Sequence, residues 1–104
     1  MPETLVRFDE PISDSRGERY FAHAIGRKRE PDGLWEGGLE FVPVATNGER
    51  ILSGRETTQP SRETLLYWAE GLTRVYLMGA LERALRPTPA LRRERDAFGN
   101  SASL

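Results

Sequence analysis

Three turn signals at near-even spacing constrain this chain more than any other feature. "SDSRGE" (13–18) gathers loop formers around a glycine, "EPDG" (30–33) sets proline and aspartate before a glycine, and "TNGE" (46–49) carries Asn-Gly. Proline presets φ for the second position of a type I turn, and glycine accepts the positive φ that other residues resist. Asn-Gly is a strong hairpin signal because both central residues of a type I′ turn need positive φ. Runs rich in branched and aromatic residues fill the intervals, at about 4–12, 19–29, 34–45 and 50–58. Three successive hairpins therefore join four strands into an antiparallel β-meander.

The turns also imply a register. A three-residue loop with a bulge at Pro31-Asp32-Gly33 sets Arg29 opposite Trp35, Ile25 opposite Leu39 and His23 opposite Phe41. A two-residue loop at Asn47-Gly48 sets Val44 opposite Ile51, Glu40 opposite Arg55 and Gly38 opposite Thr57. One sheet face then holds Phe21, His23, Ile25, Trp35, Leu39, Phe41 and Leu52. The other holds Tyr20, Ala22, Ala24, Lys28, Glu36, Glu40, Val42, Val44, Ile51 and Arg55. Lys28 meets Glu36 and Glu40 meets Arg55, as cross-strand pairing favours.

After the strands the period changes. "PSRET" offers Ser61 as an N-cap, with Glu63 in the first turn where the helix dipole favours an acid. At about 100° per residue, Leu65, Trp68, Ala69, Leu72, Val75 and Tyr76 share one stripe, while Leu77, Met78, Leu81, Ala84 and Leu85 share another. One straight helix cannot bury both stripes against one sheet. Gly71 followed by Thr73 reads as a stop and a fresh N-cap, which favours two helices, about 61–70 and 74–86, over one long broken helix. The whole is an α+β domain over 1–86 with its helices on one sheet face. The stretch 87–104, opening on two prolines, is expected to be a flexible tail.

Composition excludes several chemistries. There is no cysteine, so thiol catalysis, disulfides and thiolate zinc sites are out. With a single histidine, no metal site is expected, and no cofactor is implied. A net charge of −1 gives no global field toward nucleic acid or an anionic membrane. No apolar run approaches membrane-spanning length, and a cytoplasmic protein is expected.

Four places invite a functional reading. The junction "SGRETTQPSRET" (53–64) could hold an anion with Arg55, Thr57, Thr58, Ser61 and Arg62 at a helix entrance, but it lacks a glycine-rich cradle and also serves as strand-to-helix punctuation. His23 falls among Phe21, Ile25 and Phe41 and reads as structural. Glu36 and Glu40 stand about 13 Å apart along a strand, too far for a glycosidase pair, and read as solvated ion pairs. "GRKRE" (26–30) and "LRRER" (91–95) are basic, but the aromatics near them belong to the packed face, so nucleic acid is not expected as a partner.

The remaining feature is apolar. Tyr20, Ala22, Val42, Val44 and Ile51 form a patch on the uncovered face, bordered by charges, as protein–protein surfaces are. The expected function is a small non-catalytic protein–protein interaction module, homodimeric through that free sheet face, with another protein as the other partner considered. Catalytic residues remain unknown. The alternative is a small ligand-binding or catalytic domain at the junction 55–62.

Overall fold

The computed structural model describes residues 1–45 and 48–86. Thr46, Asn47 and the expected tail 87–104 lie outside the described residues. A five-stranded antiparallel sheet is followed by two helices: β1 (Glu3–Arg7), β2 (Ile12–Ser13), β3 (Arg19–Lys28), β4 (Trp35–Pro43), β5 (Ile51–Gln59), α1 (Arg62–Glu70) and α2 (Arg74–Leu85). The α+β class and the preference for two helices hold. The expected first strand is two, because Asp9, Glu10 and Pro11 interrupt it. Both pieces pair with β3, and the sheet order is β1-β3-β4-β5.

Local chemistry explains the element ends. Ser61 caps α1: its hydroxyl accepts from the Thr64 N–H (3.1 Å), while the Thr64 hydroxyl accepts from the Ser61 N–H (3.2 Å), closing a capping box. Thr73 caps α2 by accepting from the Tyr76 N–H at 3.2 Å. Between β2 and β3 the buried Asp14 carboxylate accepts the N–H groups of Arg16 (2.8 Å) and Glu18 (2.9 Å). Burial pushes the Asp14 pKa up, but these bonds outweigh it and the net shift is downward.

The register differs from expectation by one residue on β3. The β3–β4 turn uses four residues, 30–33, closed by the Arg29 N–H donating to the Leu34 carbonyl at 2.6 Å. Ala24 therefore opposes Leu39, Ala22 opposes Phe41 and His23 opposes Glu40. A one-residue slip exchanges the two faces of a strand. Tyr20, Ala22 and Ala24 consequently join Leu39 and Phe41 beneath the helices, in a core completed by Ala69, Leu77, Ala80 and Leu81. Phe21, His23 and Arg27 lie on the other side.

The β4–β5 pairing also departs from expectation. Phe41 opposes Ile51, Glu40 opposes Leu52 and Gly38 opposes Arg55, with irregularities on either side of Gly38. The pairing of Val44 with Ile51 that a two-residue Asn47-Gly48 loop implies is therefore not formed. At the bulge, Gly54 takes φ 86°, and its carbonyl would stand 2.7 Å from a methyl at Gly38. The Ser53 hydroxyl repairs the ladder, accepting from the Leu39 N–H at 3.0 Å and donating to the Gly54 carbonyl at 2.8 Å.

Small residues decide which side carries the helices. Gly26 and Gly37 oppose each other across β3 and β4, and Leu65 of α1 sits in the notch they leave. A methyl at Gly37 would meet Leu65 Cδ1 at 2.6 Å and both Thr57 Cγ2 and Trp68 Cζ3 at 3.1 Å; one at Gly26 would meet Leu65 Cδ2 at 2.5 Å. Farther along, α2 is tied to β5 at Glu56. The Glu56 carboxylate accepts the Tyr76 hydroxyl and the Arg83 guanidinium (2.8 Å), and Arg83 lies 5.8 Å over the Tyr76 ring.

Two outcomes follow from this packing. Gly37→Ala should cost about 1–3 kcal/mol through overpacking, whereas Gly79→Ala, on the open side of α2, should gain about 0.4–1 kcal/mol. Urea denaturation of both variants checks the opposite signs. The Tyr76 phenol is pushed up to about 12 by burial and then by Glu56. A pKa raised on folding gives stability that is present below the ordinary value of 10.0 and lost as pH climbs through about 12. Burial also raises the Tyr20 phenol, so absorbance titration should show Tyr20 and Tyr76 titrating late, and Glu56→Gln should bring the Tyr76 step alone back toward 10.0.

Candidate functional site

The face that the helices leave uncovered holds a charged cluster at one end. Glu36, near the start of β4, is only 2% exposed although no element lies over it. Its cover is three arginines. Arg27 Nε donates to Oε1 at 3.4 Å, and Oε2 accepts from Arg29 Nη1 at 3.1 Å and from Arg55 Nη1 at 3.4 Å. Arg27 reaches Glu36 as its cross-strand neighbour, Arg29 from the end of β3, and Arg55 from β5. All three arginine side chains stay partly exposed while their carboxylate partner is buried. Arg29 also grips Asp32 with two nitrogens, the shorter bond being 2.7 Å. These contacts raise the Arg29 pKa, Asp32 first and Glu36 next, and the same guanidinium lowers the pKa of Asp32.

Glu36 and Glu40 are thus neither solvated nor paired as expected. Lys28 opposes Trp35 on the helix side, and Glu40 takes His23 and Arg50 in place of Arg55. His23 Nδ1 stands 3.3 Å from Glu40 Oε1, and Arg50 Nη1 donates to Glu40 Oε2 at 2.9 Å. A carboxylate that orients an imidazole is half of a general-base arrangement. Cavities of about 230 Å³, lined by Asp14, Ser15 and Arg86, and about 190 Å³, lined by Phe8, Arg74 and Leu77, lie elsewhere. Neither brings a substrate volume to His23. Among the described residues no group of three or more histidines and acids converges on a metal.

Beyond Glu40 the same face turns apolar. Phe21 opposes Val42 across β3 and β4, with Leu52 beside them on β5 and Val44 just past β4. Phe21 is 37% exposed and Leu52 44%. Of the residues expected to form the patch, Val42 and Val44 are near it. Tyr20 and Ala22 are buried in the core, and Ile51 packs against that core from the helix side. The patch survives at this end of the sheet with a different membership, because the slip of β3 put Phe21 where Tyr20 and Ala22 were expected.

The residues of the strand-to-helix junction do not converge. Arg55 belongs to the Glu36 cluster. Thr57 faces Gly37 on the helix side and accepts from Gln59 Nε2 at 2.8 Å, whereas Thr58 opposes Glu36. The Ser61 hydroxyl is spent on its capping box. Arg62 binds both oxygens of Glu3, the shorter bond being 2.6 Å, and lowers the Glu3 pKa while tying α1 to β1. The stretch is strand ending and helix entrance, without an anion cradle.

Sequence reasoning missed the burial of Glu36 and the exposure of Phe21 and Leu52. A signal was present. Ala22, Ala24 and Gly26 alternate along β3, as Gly37 and Leu39 do on β4, and a row of small residues marks where a helix comes close. No family model matches the chain, and no curated protein or solved structure matches it.

Removing Glu36 tests the cluster directly. Glu36→Ala leaves three arginines repelling one another, and should cost about 2–3 kcal/mol, less than a fully buried pair because the guanidiniums reach solvent. Added salt should restore part of the loss. Urea midpoints at low and high salt would show both effects.

Proposed function

We propose that this chain is a non-catalytic protein–protein interaction module working through the uncovered sheet face. The observation that carries the reading is the apolar corner where Phe21, Val44 and Leu52 are exposed around the half-buried Val42, on a face that also carries the ion pairs of Glu36 and Glu40. Exposed apolar groups inside a polar border are what a docking partner desolvates with profit. The His23–Glu40 pair does not favour catalysis, since neither described cavity serves it and no nucleophilic side chain is in contact with the imidazole among the contacts described.

Pairing of this face with a second copy is the less favoured form of the proposal. A two-fold axis lying in such an interface sets the arginine end over another arginine end, or over the apolar corner. Neither arrangement matches opposite charges. A different protein is the better partner.

A photoreactive phenylalanine analogue at Leu52 checks this reading in cells. It should yield a discrete adduct with one identifiable protein, while the same group at Val75, exposed on α2, should not. Identical adducts from both positions, or none from either, would remove the uncovered face as the working surface.

A further inference from the structure

The uncovered face has a strong charge bias that the whole chain lacks. Register and contacts place six arginines on it: Arg7 opposite His23, Arg19 opposite Ser13, Arg27, Arg29 and Arg55 around Glu36, and Arg50 on Glu40. Among the described residues that register or ion pairs place there, Glu36, Glu40 and the turn residue Asp32 stand against them, an excess of three positive charges. The chain as a whole carries −1, so the rest of the molecule is acidic and the cationic excess is concentrated here. Part of that excess, Arg7 and Arg19, makes no ion pair among the described residues.

We infer that the partner of this face is an acidic protein segment that also carries an apolar side chain. The inference rests on the interaction reading above and adds the chemistry of the partner. Carboxylates on the segment would meet the arginine excess, and its apolar side chain would cover Phe21, Val42 and Leu52. Glu36 and Val42 mark the two ends on β4, about 20 Å apart at the rise of a strand. A segment of about six extended residues spans that length.

Nucleic acid fits the same face less well. A single-strand reader stacks bases on aromatic rings, and among the described residues Phe21 is the one exposed ring on this face. Tyr20 is in the core, and Trp35 shares the helix side with Lys28. Glu40 also sits midway along the face, where a continuous phosphate backbone would meet a carboxylate. An acidic peptide can place its charges to either side of Glu40, and it gains from the apolar corner, which a phosphate chain does not.

The test is fluorescence anisotropy on the full chain with a labelled peptide that begins Leu-Phe and continues with alternating glutamate and serine. Two controls accompany it: the same peptide with lysine for glutamate, and a single-stranded oligonucleotide. The acidic peptide should bind saturably. Its affinity should fall about tenfold or more between about 50 mM and about 500 mM salt, and about tenfold in Arg7→Glu/Arg19→Glu. That double variant leaves the Glu36 cluster untouched, and its thermal midpoint should stay near that of the parent. Leu52→Glu should abolish binding.

Three results would overturn the inference. One is no binding of the acidic peptide at low salt. Another is equal or tighter binding of the oligonucleotide. The third is a concentration-dependent dimer, seen by light scattering and dispersed by Leu52→Glu, which would make a second copy the occupant. A discrete cross-link at Leu52 with no affinity for the acidic peptide would sink the charge argument and leave the interaction reading standing. The absence of both would sink the two together.

Discussion

The seating of Leu65 between Gly26 and Gly37 is the contact on which the rest of the molecule depends. Two glycines opposite each other make a gap in the side-chain layer of the sheet, and the leucine fills it so closely that a methyl on either glycine would overlap it. This contact fixes which side of the sheet is covered. Once α1 is seated, Ala22, Ala24, Leu39 and Phe41 lie under the helices, and Phe21, His23 and Glu40 fall on the side that no helix covers. The arginine cover of Glu36 and the apolar corner are both consequences of that choice.

Seen this way, the uncovered face is built with unlike ends for a reason. A carboxylate on an open sheet ordinarily stays in water. Glu36 instead is buried, with the guanidiniums of three arginines against its carboxylate and no overlying element. Such an arrangement sets several cations in fixed positions, and fixed cations lose less freedom on meeting an acidic partner than mobile lysines do. The apolar corner adds area that is not electrostatic, so that recognition need not rely on charge alone.

What could be read from the sequence divides by distance along the chain. Ser61 and Thr73 were legible as caps because each side chain bonds an N–H three residues away, so the chemistry is complete within one short stretch. The antiparallel sheet was legible from its turns. The register was not, because it depends on whether the "EPDG" turn uses three residues or four, and a one-residue difference there exchanges Phe21 for Tyr20. Bulk misled as well. Phe21 looks like a core residue and Ala22 and Ala24 do not, yet close approach of a helix rewards the small ones. The expected patch inherited that error, since a patch is defined by the face on which its residues fall. Val42 and Val44 were placed on the right side because β4 was read in the right phase.

The bulges of β5 have a separate consequence. β5 is an edge strand of nine residues, long enough to accept another strand along its outer side. Unbroken edges of that kind invite open-ended stacking of chains. Here the irregularities flanking Gly38, with Gly54 turned to φ 86°, interrupt the even spacing of backbone donors and acceptors along that edge. A neighbouring strand would find no continuous ladder to extend. The same kinks that carry Arg55 to Glu36 thus guard the molecule against fibre-like assembly, and association is left to side chains on the open face.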